Sequence, residues 1–218
     1  MAPPRRGPDS PPRLLWVEGK DDSAVVQGLC KKVEVPEVFA VHQKEGVEKL
    51  LGGIGVELRQ RRLERFGVVV DANGDPGARW ASIRHTLEEE GYPAVPATIP
   101  MDGAVLPAPS RLPRFGAWIM PDNSSTGALE DFAARLIPPG DVLFRRAAEA
   151  IDAIPEEHRR FPPGRRSKAH VHTWLAWQEN PGSPMGQAIG KGDLDADAPA
   201  AQAFVAWLRR LMLDEQSS

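Results

Sequence analysis

The stretch Arg65-Phe66-Gly67-Val68-Val69-Val70-Asp71 limits the fold more than any other part of the chain. Its β-branched run shows no polar alternation, which suits a strand buried on both faces of a parallel sheet. It stops at a carboxylate, and Ala72-Asn73-Gly74-Asp75-Pro76-Gly77 then reads as a turn. The same plan occurs earlier, where Leu14-Leu15-Trp16-Val17 ends at Glu18-Gly19-Lys20-Asp21-Asp22. It occurs again where Arg114 to Met120 ends at Pro121-Asp122-Asn123. A chain with several such strands must place acids at strand ends, and open α/β sheets place their ligands at the carboxyl ends of strands.

Helical periodicity fills the intervals. Ser23 to Val33 carries Val25, Val26, Leu29, Cys30 and Val33 on one face, with Asp22 placed to cap it. Val38 to Val41 reads as a short strand. Val47 to Arg65 reads as a helix that Gly52, Gly53 and Gly55 should break. Arg79 to Glu90 is a helix closed by Gly91. Tyr92 to Pro113 is proline-rich and holds one or two short edge strands. Gly127 to Ile137, Asp141 to Ile154, Ser167 to Gln178 and Ala200 to Leu213 read as helices, and Asn180 to Ala198 as a loop. Alternating strands and helices imply right-handed crossovers and a mostly parallel sheet flanked by helices. The fold class is therefore α/β, Rossmann-like, with a C-terminal helical extension. The expected organisation is a disordered leader over 1–12, an α/β core over 13–137, and a helical portion over 138–218 packed on that core.

With 218 residues, 41% of them hydrophobic, the chain can bury one ordinary core. No apolar run approaches the roughly 18 residues of a membrane span. The single cysteine, Cys30, supports neither a disulfide framework nor a cysteine zinc site, so a cytoplasmic protein is the expectation. The formal charge of −3 argues against bulk electrostatic coating of nucleic acid. Local arginine clusters remain, at Arg59, Arg61, Arg62 and Arg65, and from Arg159 to Lys168.

Phosphodiester chemistry requires a divalent cation on hard oxygen ligands. The candidates are Glu18, Asp71, Asn73, Asp75, Glu130 and Asp131, with Asp22 and Asp122 as supporting acids. Each has a plainer reading. Glu18, Glu130 and Asp131 suit helix starts, Asp122 suits a cap or turn, and Asp71, Asn73 and Asp75 suit the Gly74-Pro76 turn. Lys168 can stabilise charge at a reacting phosphorus or be one more solvated cation. His170 and His172, two apart on a helix, do not face one another and make a poor metal pair. Trp174 and Trp177 suit a core better than a base-stacking platform.

Val17-Glu18-Gly19-Lys20-Asp21-Asp22 followed by Val69-Val70-Asp71-Ala72-Asn73 resembles the Toprim domain, the fold of topoisomerases, DnaG-type primases and the overcoming-lysogenization-defect nucleases. Glu18-Gly19 matches its first motif. Asp71 and, in part, Asn73 match its Asp-x-Asp motif. Leu129-Glu130-Asp131 resembles the further acidic element of Toprim nucleases. As a whole the chain is similar to uncharacterised bacterial Toprim-like proteins, from Leu14 to about Leu213. The resemblance implies Mg²⁺- or Mn²⁺-dependent cleavage or phosphoryl transfer on DNA or RNA. Glu18 would then serve as acid/base or metal ligand and Asp71 as metal ligand, with Lys168 as a further catalytic candidate. Asn73 departs from the motif: its amide oxygen can coordinate but brings no charge, and Asp75 or Glu130 would have to compensate. Two other readings follow: a catalytically silent binding module serving a partner protein or a defence or DNA-processing assembly, and a small-molecule phosphoesterase. A homodimer is compatible with the sequence, and no membrane partner is expected.

Overall fold

The apolar runs pair as their composition requires. The computed structural model describes residues 13–60, 62–109 and 111–213, so the expected leader and Arg61 lie outside the described residues. Strands β1 (Arg13–Val17), β2 (Ala40–Gln43), β3 (Arg65–Asp71), β4 (Ala104–Leu106) and β5 (Arg114–Met120) form one sheet in the order β2-β1-β3-β5-β4. All neighbours are parallel except β4, an antiparallel edge strand on β5. Val17 pairs with Val69, and Asp71 with Met120, so β3 and β5 end together and β1 stops two residues short of them at the same edge.

Successive side chains go to opposite faces. Leu14, Trp16, Phe66, Val68 and Val70 join the core under α2 (Val47–Leu58) and α3 (Pro76–Glu90). Leu15, Val17, Val69, Trp118 and Met120 join the core on the other face. That face is covered by α1 (Lys20–Lys32), α4 (Leu129–Ala134), α5 (Val142–Asp152), α6 (Arg166–Ala176), α7 (Met185–Lys191) and α8 (Pro199–Met212). The helices after residue 137 thus share a core with β1, β3 and β5. No helix among the described residues is long and apolar enough to cross a membrane.

Helix α8 is fixed by three devices. The first is a trough: Gly67 and Gly116 are register partners on adjacent strands, and Leu211 lies across both. A Cβ on Gly116 would come within 2.6 Å of Leu211, and one on Gly67 within 2.7 Å. The second holds the helix's last carbonyls, which lack intrahelical partners. Arg13 donates to the Met212 carbonyl at 2.6 Å, and Arg65 to those of Leu211 and Leu213 at 2.8 and 2.7 Å. The third is the Trp207 indole, which donates to the Ala104 carbonyl at 2.9 Å.

Two expectations are corrected, both because glycine was read as a breaker where it permits close packing. Helix α2 runs unbroken through Gly52, Gly53 and Gly55 and ends at Leu58, short of Arg65. A Cβ on Gly53 would approach the Trp16 ring to 3.0 Å. The supposed loop from Asn180 to Ala198 contains α7, where Gly186 faces α1 so closely that a Cβ would lie 2.3 Å from the Ala24 carbonyl oxygen. The expected helix from Gly127 to Ile137 is real but shorter, Leu129–Ala134.

The trough gives a direct stability test. Gly116→Ala should destabilise by about 1–3 kcal/mol through overpacking, and Leu211→Ala alone by about 2–5 kcal/mol through its cavity. Denaturant unfolding of the double variant should show less destabilisation than the two losses added, because the new methyl occupies space that Leu211 vacates.

Candidate functional site

Parallel register brings the ends of β1 and β3 to one rim. The Glu18 carboxylate follows β1 and crosses to β3, where its Oε1 accepts the Asp71 amide hydrogen at 2.9 Å. Asp71 ends β3, and its Oδ1 accepts the amide hydrogen of Leu129 at 3.0 Å, the first residue of α4. Asp22 lies in the first turn of α1 and turns back, its Oδ2 accepting from the Gly19 amide at 3.1 Å. Glu130, in the first turn of α4, is buried.

Glu18, Asp22 and Asp71 share a pattern. Each has one carboxylate oxygen held by a backbone amide, while the second accepts no hydrogen bond from a described residue. For Asp22 this is conspicuous: its side chain is buried and Oδ1 is without a partner. A buried unsatisfied carboxylate oxygen is costly and calls for an occupant or a proton.

The proton affinities say the same. Burial, then the neighbouring negative charges of Asp22, Glu18 and Glu130, push the Asp71 carboxyl up to about 8. Burial, then the charge of Glu18, pushes Asp22 up to about 7. Burial raises Glu18, opposed by the Asp71 amide and by the positive charge of Arg79. These acids repel one another, and Asp22 and Asp71 hold their protons to near neutral pH.

A second layer holds α4 in place. Asp131 accepts from the Ala128 amide at 2.8 Å and from the Ser167 hydroxyl at 2.5 Å. Lys168 donates to Glu130 Oε1 at 2.6 Å. Adjacent residues at the start of α6 thus grip adjacent acids at the start of α4. Across the rim, Arg79 in the first turn of α3 donates through Nε to the Asp71 carbonyl at 3.1 Å.

Of the predicted site residues, Glu18, Asp71, Glu130 and Lys168 come together, and Asp22, expected only in support, stands among them. The others are placed elsewhere or used otherwise. Asp131 has both oxygens committed and positions α4. Asp75 is the N-cap of α3, accepting from the Ala78 amide at 2.9 Å. Asn73 is exposed at φ 51°, its backbone bridged to Gly127 at 2.7 and 2.9 Å. The turn conformation, which favours Asn and Gly, accounts for it. Asp122 accepts from Ser124, Ser125 and Arg135, and those bonds hold its carboxyl well below the usual range despite opposition from burial. Glu130, not Asp75, therefore supplies the further negative charge expected of the rim. Trp174 is buried as a core residue, whereas Trp177 is exposed. His170 pairs with Asp152 at 2.9 Å, away from His172.

Sequence reasoning gave Arg79 no role and underrated Asp22. Asp22 stands three residues after Gly19, a spacing that turns a helix side chain back to the strand end. Arg79 follows the Pro76 helix start and so lies in the turn of α3 nearest Asp71.

The donor set fits a hard divalent cation in kind, since the acids lie near enough to feel one another's charge and one buried carboxylate oxygen among them is unpartnered. No three His, Cys, Asp or Glu side chains among the described residues are grouped so that they could hold a metal ion. Mg²⁺ does not need such a group: it keeps several waters and uses one or two carboxylates. A family model described as "Protein of unknown function (DUF3226)" matches residues 12–213. No curated protein and no solved structure matches the chain.

The raised acids give stability a definite pH dependence. Their folded values, about 7 for Asp22 and about 8 for Asp71, exceed the ordinary 3.8, so the folded state holds protons that the unfolded state has released. Their contribution is most favourable below about pH 4 and is lost as pH rises through 7 to 8. Cation-free Asp71→Asn should therefore melt above the parent at pH 8.5, by about 2–4 °C for each ~1 kcal/mol relieved. Near pH 4 the difference should vanish. Calorimetric melting at the two pH values is the measurement.

Proposed function

The chain belongs to the DUF3226 family, and we propose that it is a Mg²⁺- or Mn²⁺-dependent phosphodiesterase acting on nucleic acid, a nuclease or related phosphotransferase of Toprim-like kind. One observation carries the reading: Glu18 and Asp71, 53 residues apart in sequence, share a single hydrogen bond at one sheet rim. That juxtaposition is what the sequence resemblance to Toprim nucleases requires.

Asp22 and Asp71 would hold the cation through the oxygens their backbone bonds leave open, water filling its other positions, with Glu130 adding negative charge. When bound, such an ion neutralises phosphate oxygens and makes its coordinated water a stronger acid. Glu18 is the residue for proton transfer. Its Oε1 is fixed on the Asp71 amide, and its Oε2 can take a proton from an attacking water or return one to a leaving oxygen. Burial raises its proton affinity above that of a free carboxyl, which suits that task. Lys168 keeps Glu130 in place at 2.6 Å and offsets negative charge developing on the phosphate. Leu129's amide on Asp71 ties the rim to α4, so the acids are positioned before substrate arrives.

A second reading rests on Asn73. A Toprim-like site with an amide at that position could bind a cation and a phosphate without cutting, as a module serving a partner protein.

Oligonucleotides, DNA and RNA, should be hydrolysed with Mg²⁺ or Mn²⁺ and not with chelator. Glu18→Gln and Asp71→Asn should each lower the rate by about 10²-fold or more, the usual size of a proton-transfer or electrostatic contribution. Activity that survives both substitutions removes the mechanism. Calorimetric Mn²⁺ binding without hydrolysis of oligonucleotides or mononucleotides selects the binding module instead. Hydrolysis confined to mononucleotides points to a small-molecule phosphoesterase.

Cation binding must also displace protons from the rim. The Tm gained from Mn²⁺ should be larger at pH 8, where Asp22 and Asp71 are substantially ionised, than at pH 5.5, where protons hold them. Equal gains at both pH values would place the ion elsewhere.

A further inference from the structure

The cations around the acidic rim are not equivalent. Lys168 is paired with Glu130 at 2.6 Å, and Arg135 with Asp122 at 2.6 Å. Arg79 is different. Although its charge is felt at Glu18, its only side-chain hydrogen bond among the described residues runs from Nε to the Asp71 backbone carbonyl at 3.1 Å. Among the described residues, its Nη1 and Nη2 form no ion pair.

An arginine placed only to neutralise a cluster of acids would close a two-point bond on one of them, since its fork matches a carboxylate. Arg79 instead attaches through the inner nitrogen to a neutral carbonyl. That holds the guanidinium by one edge and leaves the outer fork for an anion. The mount is rigid. Asp75 caps α3 at 2.9 Å, Pro76 starts the helix, and the Arg79 amide closes on the Asp75 carbonyl at 3.2 Å. Trp80 beside it is buried, its indole bonded to the Pro96 carbonyl at 2.9 Å. The side chain is half-buried, so an anion there would meet a partly desolvated donor.

From this we infer that Arg79 is the phosphate-binding residue of the rim: its Nη1 and Nη2 hydrogens take two oxygens of a substrate phosphodiester, while Nε stays on the Asp71 carbonyl. The inference rests on the proposed phosphodiester reading and names the group that holds the phosphate. It makes Arg79 a catalytic residue by contact, with negative charge developing on the same oxygens during hydrolysis. It also accounts for how a polyanion can approach a rim of four acids, since a fixed cation stands at their edge.

The test separates phosphate binding from cation binding. Wild type, Arg79→Lys and Arg79→Ala are compared in two assays. One is calorimetric Mn²⁺ titration. The other is fluorescence anisotropy of a labelled single-stranded oligonucleotide with Ca²⁺ in place of Mg²⁺. Both variants should keep Mn²⁺ affinity within about threefold and lose oligonucleotide affinity about tenfold or more, the scale of charge-assisted hydrogen bonds. Lysine should fail nearly as badly as alanine, because it keeps the charge but not the fork. Added guanidinium ion should restore part of the binding to Arg79→Ala and none to wild type. Wild-type oligonucleotide affinity in Arg79→Lys overturns the inference, as does an equal loss of Mn²⁺ affinity, which would make Arg79 a support of Asp71. Should Arg79→Ala not fold, the lysine variant alone decides. Wild type that binds oligonucleotide but not Mn²⁺ overturns the cation reading and leaves the Arg79 comparison intact; wild type that binds neither overturns both.

Discussion

The hydrogen bond from the Asp71 amide to the Glu18 carboxylate holds the rest of this site together. It exists because β1 and β3 are parallel neighbours in a register that pairs Val17 with Val69. The residues following those partners must then emerge at one edge. A slip of one residue would send each side chain to the opposite face and would also move Glu18 away from the Asp71 amide. Register is protected by burial on both faces: Leu15 and Val17 serve one core, Leu14 and Trp16 the other. Hydrophobic packing that has nothing to do with chemistry therefore fixes the position of the acids.

Placing these carboxylates together costs stability. Burial and mutual repulsion raise the proton affinity of Asp22 and Asp71 far above the ordinary value. A fold selected only for stability would pair them with cations, as it pairs Asp122 with Arg135 and Asp152 with Arg166. At the rim the nearby cations are placed with restraint. Lys168 takes Glu130, and Arg79 stops at a backbone carbonyl. Among the described residues, the carboxyls with clearly raised proton affinity, Glu18, Asp22 and Asp71, all stand at this one edge, which is what a binding site leaves in an energy balance.

Much of the fold was legible because its signals are local. The unalternating runs of β1, β3 and β5 announced a doubly covered sheet, and the acids that end two of them announced the rim. Glycine was the weak point. At Gly53 and Gly186 it marks close contact with Trp16 and with α1, a property of partners far away in sequence. The site was half legible for the same reason. Glu18 and Asp71 follow from strand ends, but the separate fates of Asp75, Asp131 and Asp122 depend on which amide or hydroxyl each meets. Asp75 and Asp131 both look like ligands in a linear pattern. One is held by the Ala78 amide and the other by Ala128 and Ser167. Arg79 was hidden because nothing in its neighbourhood says that its inner nitrogen will be fixed and its outer fork left open.

The C-terminal helices bear on the chemistry as well as on the fold. Helix α4 is short, and its first amide hydrogen goes to Asp71. Left alone, a helix of that length would fray. Its position is set by α6, through Ser167 on Asp131 and Lys168 on Glu130, and by Phe132 packing on Phe204 of α8. Helix α8 is set in turn by the Gly67–Gly116 trough and by Arg13 and Arg65, at the opposite ends of the very strands that carry Glu18 and Asp71. The two ends of β1 and β3 are thus mechanically linked. Residues that hold α8 at one edge of the sheet stabilise, through α8 and α4, the geometry of the acids at the other.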